Sequence, residues 1–170
     1  MVGIEVKELR KMKESILTGL CFGLTSAVIT TLGLMIGLDG FSDSKLVIMG
    51  GILTIAIADA FSDSLGIHIS EESENIHTEK EIWESTLATF ASKFFFALTF
   101  IIPILFLELQ TAIIVNIIYG MIVLALLSIV IAKITNKNVW MVIGEHLGIA
   151  LIVVFISHYL GDLISILFVS

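Results

Sequence analysis

The chain has few of the residues on which soluble and secreted proteins depend. Among its 170 residues there are one cysteine and one proline, and charged residues make up 15%. The single cysteine, Cys21, excludes an intrachain disulfide, and we expect it to pack as an apolar side chain. The net charge of −7 excludes a basic surface for nucleic acid, because phosphates attract charges of the opposite sign.

Apolar sequence is what the chain has in abundance. Hydrophobic residues make up 57%, whereas a soluble domain has about 45–50%. The charges are clustered, and each apolar run between the clusters approaches or exceeds the ~20 residues that a membrane helix needs. The sequence therefore predicts an all-α polytopic membrane protein whose single domain covers residues 1–170. The predicted spans are 16–38, 46–67, 87–107, 112–132 and 141–166, after an amphipathic surface segment over residues 1–15 that is retained rather than cleaved.

Two aspartates, Asp59 and Asp63, lie four residues apart in the second predicted span. On a helix they share one face, one turn apart, and charge at membrane depth is costly enough to indicate a function. Carboxylates and hydroxyls are hard oxygen ligands, so a divalent cation, or protons, would neutralise the pair. We predict that Asp59 and Asp63 bind metal, at the level of Ser26 and Thr30 in the first span. The predicted translocation path consists of Ser26, Thr30, Ser62 and His68.

An alternative remains for the hydroxyls of the first span. Serine and threonine side chains in helices also bond back to carbonyls of their own helix. Thr30 and its neighbours would then line no path.

A strongly acidic segment, residues 70–86, follows the second span. If it is one helix, its carboxylates and imidazole form one stripe, which consists of Glu74, His77, Glu81 and Glu84. Carboxylate and imidazole ligands suit ferrous iron, manganese or zinc. The alternative is a solvated charged surface. The metal ligands predicted here are Glu71, Glu74, His77, Glu81 and Glu84.

The fourth and fifth spans contain isolated polar residues. Asn116 is as consistent with a hydrogen bond between helices as with any other role. Glu145 and His146 lie near one end of the fifth span, and His158 and Asp162 lie near the other. The last two are four apart, so they form either a second site or, as we favour, an interfacial ion pair or cap.

The basic residues indicate the orientation. Most lie in residues 1–15, in the acidic segment and in the loop at 133–138, whereas Lys45 lies on the other side. The positive-inside rule then places the N-terminus and the acidic segment in the cytoplasm. One five-helix protomer leaves little room for a pathway, and small-residue pairs such as Gly19 and Gly23 let backbones approach. We therefore predict a twofold homodimer through the first span.

Three stretches of the sequence resemble the vacuolar iron transporter family. Thr25–Leu38 is similar to its first-span signature, and Ser62–Ser70 matches its second-span signature at Ser62, Gly66 and Ser70. Trp83–Leu107 is similar to the family's third-span entry. The family's first-span aspartate falls at Ser26, and its second-span glutamate and tyrosine fall at Ile67 and His68.

The resemblance implies a homodimeric carrier in the lipid bilayer that exports ferrous iron and manganese from the cytosol, often by proton antiport, with no tightly bound cofactor. It implies a short prokaryotic-type member, in the cell membrane, whose cytoplasmic metal-binding segment is reduced. The intramembrane acids stand at Asp59 and Asp63 instead of the family positions. Two other classes remain as alternatives: a non-transporting scaffold or metal sensor and, with less support, an intramembrane aspartyl enzyme, which needs acids from two facing helices.

Overall fold

The structure is a computed structural model that describes the backbone of residues 2–168 and the side chains of residues 14–168. The described part is entirely helical apart from short connections. The charged side chains predicted to form the amphipathic start of the chain lie mostly outside the described side chains, and the backbone there is the beginning of the first helix. The helices are α1 (Val2–Asp39), α2 (Lys45–Glu74), α3 (Glu79–Thr99), α4 (Ile101–Phe106), α5 (Leu109–Ile134) and α6 (Val139–Phe168).

The predicted all-α membrane architecture is confirmed. Within the described residues, five helical segments are long and apolar enough to cross a bilayer. Each contains most of one predicted span, and several extend beyond it because charged residues at their ends continue the helix. These segments are Glu14–Asp39, Lys45–Glu74, Glu79–Phe106, Leu109–Ile134 and Val139–Phe168.

The acidic segment is helical for most of its length and is broken once. Asn75 has a left-handed backbone with φ 54° and ends α2, and Thr78 begins α3. The Thr78 hydroxyl accepts a hydrogen bond from the Glu81 N–H at 3.4 Å, and the Glu81 carboxylate accepts one from the Thr78 N–H at 2.7 Å. Such a capping box starts a new helix. Glu74 and Glu84 therefore lie on different helices, and the condition for a single stripe from Glu74 to Glu84 is not met.

α1 is the central helix of the bundle. From Gly23 to Asp39 none of its residues is exposed, and α2, α3, α5 and α6 all pack against it. A Cβ added at Gly19 would lie 2.3 Å from the Ser85 carbonyl oxygen of α3, and one at Gly33 would lie 3.0 Å from Val153 of α6. The glycines of the first span thus make close contacts within their own chain. The homodimer stays a prediction, and its contact would involve residues other than the enclosed ones.

A break at Phe100 separates α3 from α4. The side-chain amide of Asn116, in α5, donates to the Phe100 carbonyl oxygen at 2.9 Å, and Asn116 is fully buried. Pro103, which lacks an N–H, lies in the first turn of α4, where helices tolerate it. Asn116 therefore makes a hydrogen bond between helices, one of the roles considered from the sequence.

Candidate functional site

Inside the bundle, Lys93 of α3 lies between the two aspartates of α2. Its ammonium nitrogen is 2.6 Å from Asp59 Oδ2 and also contacts Asp63 Oδ2. The same nitrogen donates to Ser26 Oγ of α1 at 2.7 Å, and Ser26 Oγ donates to Asp63 Oδ2 at 2.5 Å. The Lys93 side chain is 1% exposed, compared with 29% for Asp59 and 20% for Asp63. Three helices thus contribute to one buried charged cluster.

Helical periodicity explains why these residues meet. On α2, Ala56, Ala60 and Ser64 are buried at intervals of four, and both aspartates border this buried face. On α3, Lys93 belongs to a buried stripe with the same spacing. The stripe consists of Glu81, Ser85, Thr89, Lys93 and Ala97.

The charges of the cluster do not balance. Two carboxylates surround one ammonium, so the ionised groups together carry one negative charge. A lysine ammonium has three N–H donors, and three oxygens lie around Lys93. Asp59 has fewer partners than Asp63, because within the described part of the chain Asp59 Oδ2 contacts only the Lys93 ammonium, whereas Asp63 Oδ2 also accepts a hydrogen bond from Ser26. The cluster is therefore suited to cations and is partly compensated by one that belongs to the protein.

A second acidic site lies at the ends of α2 and α3. A cavity of about 250 Å³ there is lined by six polar side chains and Ile76, which come from three helices and from the link between α2 and α3. Glu71 is buried, and its Oε2 accepts a hydrogen bond from the Ser85 hydroxyl at 2.5 Å. Ser85 precedes Lys93 by eight residues, or about 12 Å along a helix. The α3 stripe therefore connects this cavity with the charged cluster. The lining residues are Glu14, Ser15, Thr18, Glu71, Ile76, His77 and Glu81.

Three of the residues predicted for the membrane site come together: Ser26, Asp59 and Asp63. Thr30 instead donates to the Ser26 carbonyl oxygen of its own helix at 2.9 Å, as the alternative interpretation of the hydroxyls held. Ser62 is exposed on the outer surface of α2, away from the cluster.

His68 lies outside the charged cluster. Its Nδ1 is 3.0 Å from the Thr86 hydroxyl, and its ring packs edge-on against Trp83 at 4.8 Å between centroids. Its neighbourhood is an open apolar groove formed by α2 and α3.

The residues predicted for the acidic segment separate into different environments. His77 Nε2 is 3.1 Å from Glu74 Oε2 near the surface, and Glu84 pairs with Lys80 at 3.7 Å. Glu81 caps α3, and Glu71 contacts Ser85. Among the described side chains, no group of three or more histidine, cysteine, aspartate or glutamate residues is arranged to hold a metal ion. Their role as metal ligands stays a prediction.

The polar residues of the last helix have partners of their own. His158 Nε2 lies 3.6 Å from Asp162 Oδ2 between exposed side chains, which is the pairing expected for the interpretation favoured from the sequence and is an ion pair when the imidazole is protonated. His146 Nδ1 is 2.8 Å from the buried Ser128 hydroxyl of α5. Glu145 is exposed. None of these residues contacts the charged cluster.

The fold defines a class: a polytopic α-helical membrane protein with ionisable residues inside its bundle, in contact with lipid through exposed apolar side chains. Within that class the chain belongs to the VIT family. The family model described as "VIT family" matches residues 63–162, which is more than half of the chain. This confirms the resemblance to vacuolar iron transporters. The matched range includes Asp63 and Lys93, and leaves out Ser26 and Asp59. No curated protein and no solved structure matches the chain.

The family is one of membrane metal-ion transporters, so the chain is an integral multi-pass protein of that kind. A transported metal ion is the corresponding substrate.

Proposed function

We propose that the protein carries ferrous iron or manganese across the membrane and that the ion passes the cluster of Ser26, Asp59 and Asp63. The observation that carries this proposal is the pair of carboxylates inside the bundle of a metal-transporter family member. Carboxylate and hydroxyl oxygens are ligands that manganese accepts readily, and ferrous iron also binds carboxylates. Ionisable residues at membrane depth mark ion pathways in general.

The acidic cavity at the ends of α2 and α3 supports an entry point on the same route. Its carboxylates would raise the local concentration of cations. Glu71 and His77 are the ligands we propose for a first, weak binding step, since both line the cavity. Glu74 and Glu84, on the two helices beside it, would add to the negative potential.

We also propose export from the cytoplasm in exchange for protons, by a homodimer in the cell membrane of a prokaryote. The excess of basic residues on the side of the N-terminus supports the cytoplasmic placement of the acidic cavity. Proton exchange is supported by the charge arithmetic, because acids that release a metal ion can be neutralised by protons. Metal flux under imposed pH gradients of either sign tests direction and coupling, and cross-linking in native membranes tests the dimer.

Metal flux into proteoliposomes tests the function itself. We expect the wild-type protein to admit Fe²⁺ and Mn²⁺ faster than empty liposomes do, and Asp59→Asn and Asp63→Asn to lower the rate at least about tenfold, as expected for lost charged ligands. Asp43→Asn is the matched control, because Asp43 is exposed in the link between α1 and α2. Wild-type flux no faster than empty liposomes would refute the carrier. Undiminished flux in both cluster variants would refute the route.

A non-transporting scaffold or sensor is the second candidate, and one observation favours it. Lys93 already compensates the aspartates, as a structural ion pair would. The flux experiment decides between the two.

An aspartyl enzyme has less support. Aspartyl catalysis uses two carboxylates that share a proton across a cleft. Asp59 and Asp63 lie instead on one helix and share a lysine.

A further inference from the structure

We propose that the Lys93 ammonium is a tethered cation that occupies the divalent-ion site of Asp59 and Asp63, and that a metal ion binds there only when Lys93 leaves. In the conformation described, Lys93 therefore determines how tightly the site binds metal. The inference rests on the proposed function, because the site matters for transport only if the protein carries metal. Its test measures metal binding at equilibrium and needs no transport.

The first argument is the position of the nitrogen. A divalent ion bound by both carboxylates would lie between Asp59 and Asp63, within reach of the Ser26 hydroxyl. Lys93 Nζ is already there, 2.6 Å from Asp59 Oδ2 and 2.7 Å from Ser26 Oγ, and in contact with Asp63 Oδ2. A metal ion and the ammonium would repel each other and would compete for the same oxygens, so they exclude each other.

The second argument is the set of oxygens. The two carboxylates and the hydroxyl supply five oxygen atoms from two helices, α1 and α2, without any contribution from α3. Divalent ions of the hard type take about six oxygen ligands, with water completing the shell. The site therefore needs no new protein ligand to hold a metal ion. It needs only the removal of the one side chain that comes from α3.

The third argument is charge. With Lys93 in place the three ionised groups carry a net negative charge of one, whereas a divalent ion in its place would neutralise both carboxylates. Compensation is weaker at Asp59 than at Asp63, since within the described part of the chain Asp59 Oδ2 contacts the ammonium alone, whereas Asp63 Oδ2 contacts the ammonium and the Ser26 hydroxyl. A buried acid without adequate compensation is costly, which favours exchange for an ion of higher charge.

The test is Mn²⁺ binding to the purified full-length protein in detergent, followed by loss of the free-ion signal in electron paramagnetic resonance. The variants are the wild type, Lys93→Met, and Lys93→Met combined with Asp63→Asn. Lys80→Met is the matched control, because it removes a lysine whose side chain is 77% exposed. Lys93→Met should bind Mn²⁺ about 100-fold more tightly than the wild type, since it removes a like charge a few ångströms from the ion. Lys80→Met should bind like the wild type, and the double variant should lose the gain.

Equal Mn²⁺ affinity in the wild type and Lys93→Met would overturn the proposal, as would a gain that persists in the double variant. If Lys93→Met folds poorly, Lys93→Gln, which keeps a polar side chain, is measured in its place. A melting temperature that rises with Mn²⁺ in either variant supports the site. If both variants fail to fold even with Mn²⁺ present, the metal does not replace the ammonium and the proposal is wrong.

The outcome is separable from that of the flux experiment. Tight Mn²⁺ binding by Lys93→Met without wild-type flux would support the tethered cation and refute transport. Wild-type flux that depends on Asp63, with no gain in binding on removal of Lys93, would support transport and refute the tethered cation.

Discussion

The contact between α1 and α3 depends on Gly23, and we predict that Gly23→Ala destabilises the protein although alanine is the better helix former. An added Cβ would lie 2.6 Å from the Thr89 carbonyl oxygen and 2.1 Å from Ser92 Oγ. The serine hydroxyl can rotate away, but the carbonyl belongs to the α3 backbone. Because an ordinary contact between carbon and oxygen is about 3.3 Å, α3 must retreat by about 0.7 Å.

The retreat has a cost in packing and a second effect in the charged cluster. Overpacking costs about 1–3 kcal/mol, and the helix propensity of alanine returns about 1 kcal/mol. We therefore expect a net loss of about 1 kcal/mol in the free energy of unfolding. The same movement would lengthen the hydrogen bond of 2.7 Å between Lys93 Nζ and Ser26 Oγ to about 3.4 Å and so weaken it.

Thermal unfolding in detergent measures the first effect, and Gly144→Ala is the matched control. Gly144 is exposed on α6, and a Cβ added there meets nothing within 4 Å. Gly144→Ala should be as stable as the wild type or slightly more stable, and Gly23→Ala should melt about 5 °C lower than this control. Equal melting temperatures for the two alanine variants would refute the close packing of α1 against α3.

Two further predictions concern buried polar side chains. Asn116→Ala removes the amide that donates to the Phe100 carbonyl at the break between α3 and α4. It should lower the free energy of unfolding by about 1 kcal/mol. An unchanged midpoint of thermal unfolding would contradict that role. Thr31→Val removes a buried hydroxyl without a hydrogen-bond partner within the described residues, and should leave stability unchanged or raise it by up to about 1 kcal/mol. Thr89→Val is the comparison, because it loses a hydrogen bond of 2.8 Å to the Ser85 carbonyl and should be less stable than Thr31→Val. The reverse order of stability would contradict the different hydrogen bonding of the two threonines.

The sequence was sufficient to predict the membrane helices and the meeting of Ser26 with the aspartates. Long apolar runs determine the spans, and a short link between two antiparallel helices determines which residues share a level. These are local constraints, so they can be read along the chain. Charge at membrane depth then identified Asp59 and Asp63 as the residues that needed partners.

The partner itself, Lys93, was missed. It lies more than 25 residues along the chain from both aspartates, and the sequence alone does not give the rotation of α3 that aims its side chain at them. A signal was present, because a lysine inside a predicted span needs a buried counter-charge as much as an aspartate does.

The break in the acidic segment was also missed, and here the signal was local. Thr78 is followed three residues later by Glu81, which is the pattern of a capping box. The regular spacing of Glu74, His77, Glu81 and Glu84 concealed it, because a charged stripe and a helix start can occupy the same residues. Cap residues outweigh periodicity when the two disagree.

The enclosure of α1 has a consequence for how such a protein diversifies. A residue surrounded by four helices has its volume set by many neighbours at once, so an exchange there requires compensating exchanges elsewhere. The outward residues of α6, such as Leu151, Phe155 and Leu163, are exposed and face no other described helix closely. Lipid accepts any apolar shape at such positions. Sequence drift should therefore be fastest on α6 and slowest along Gly23–Asp39.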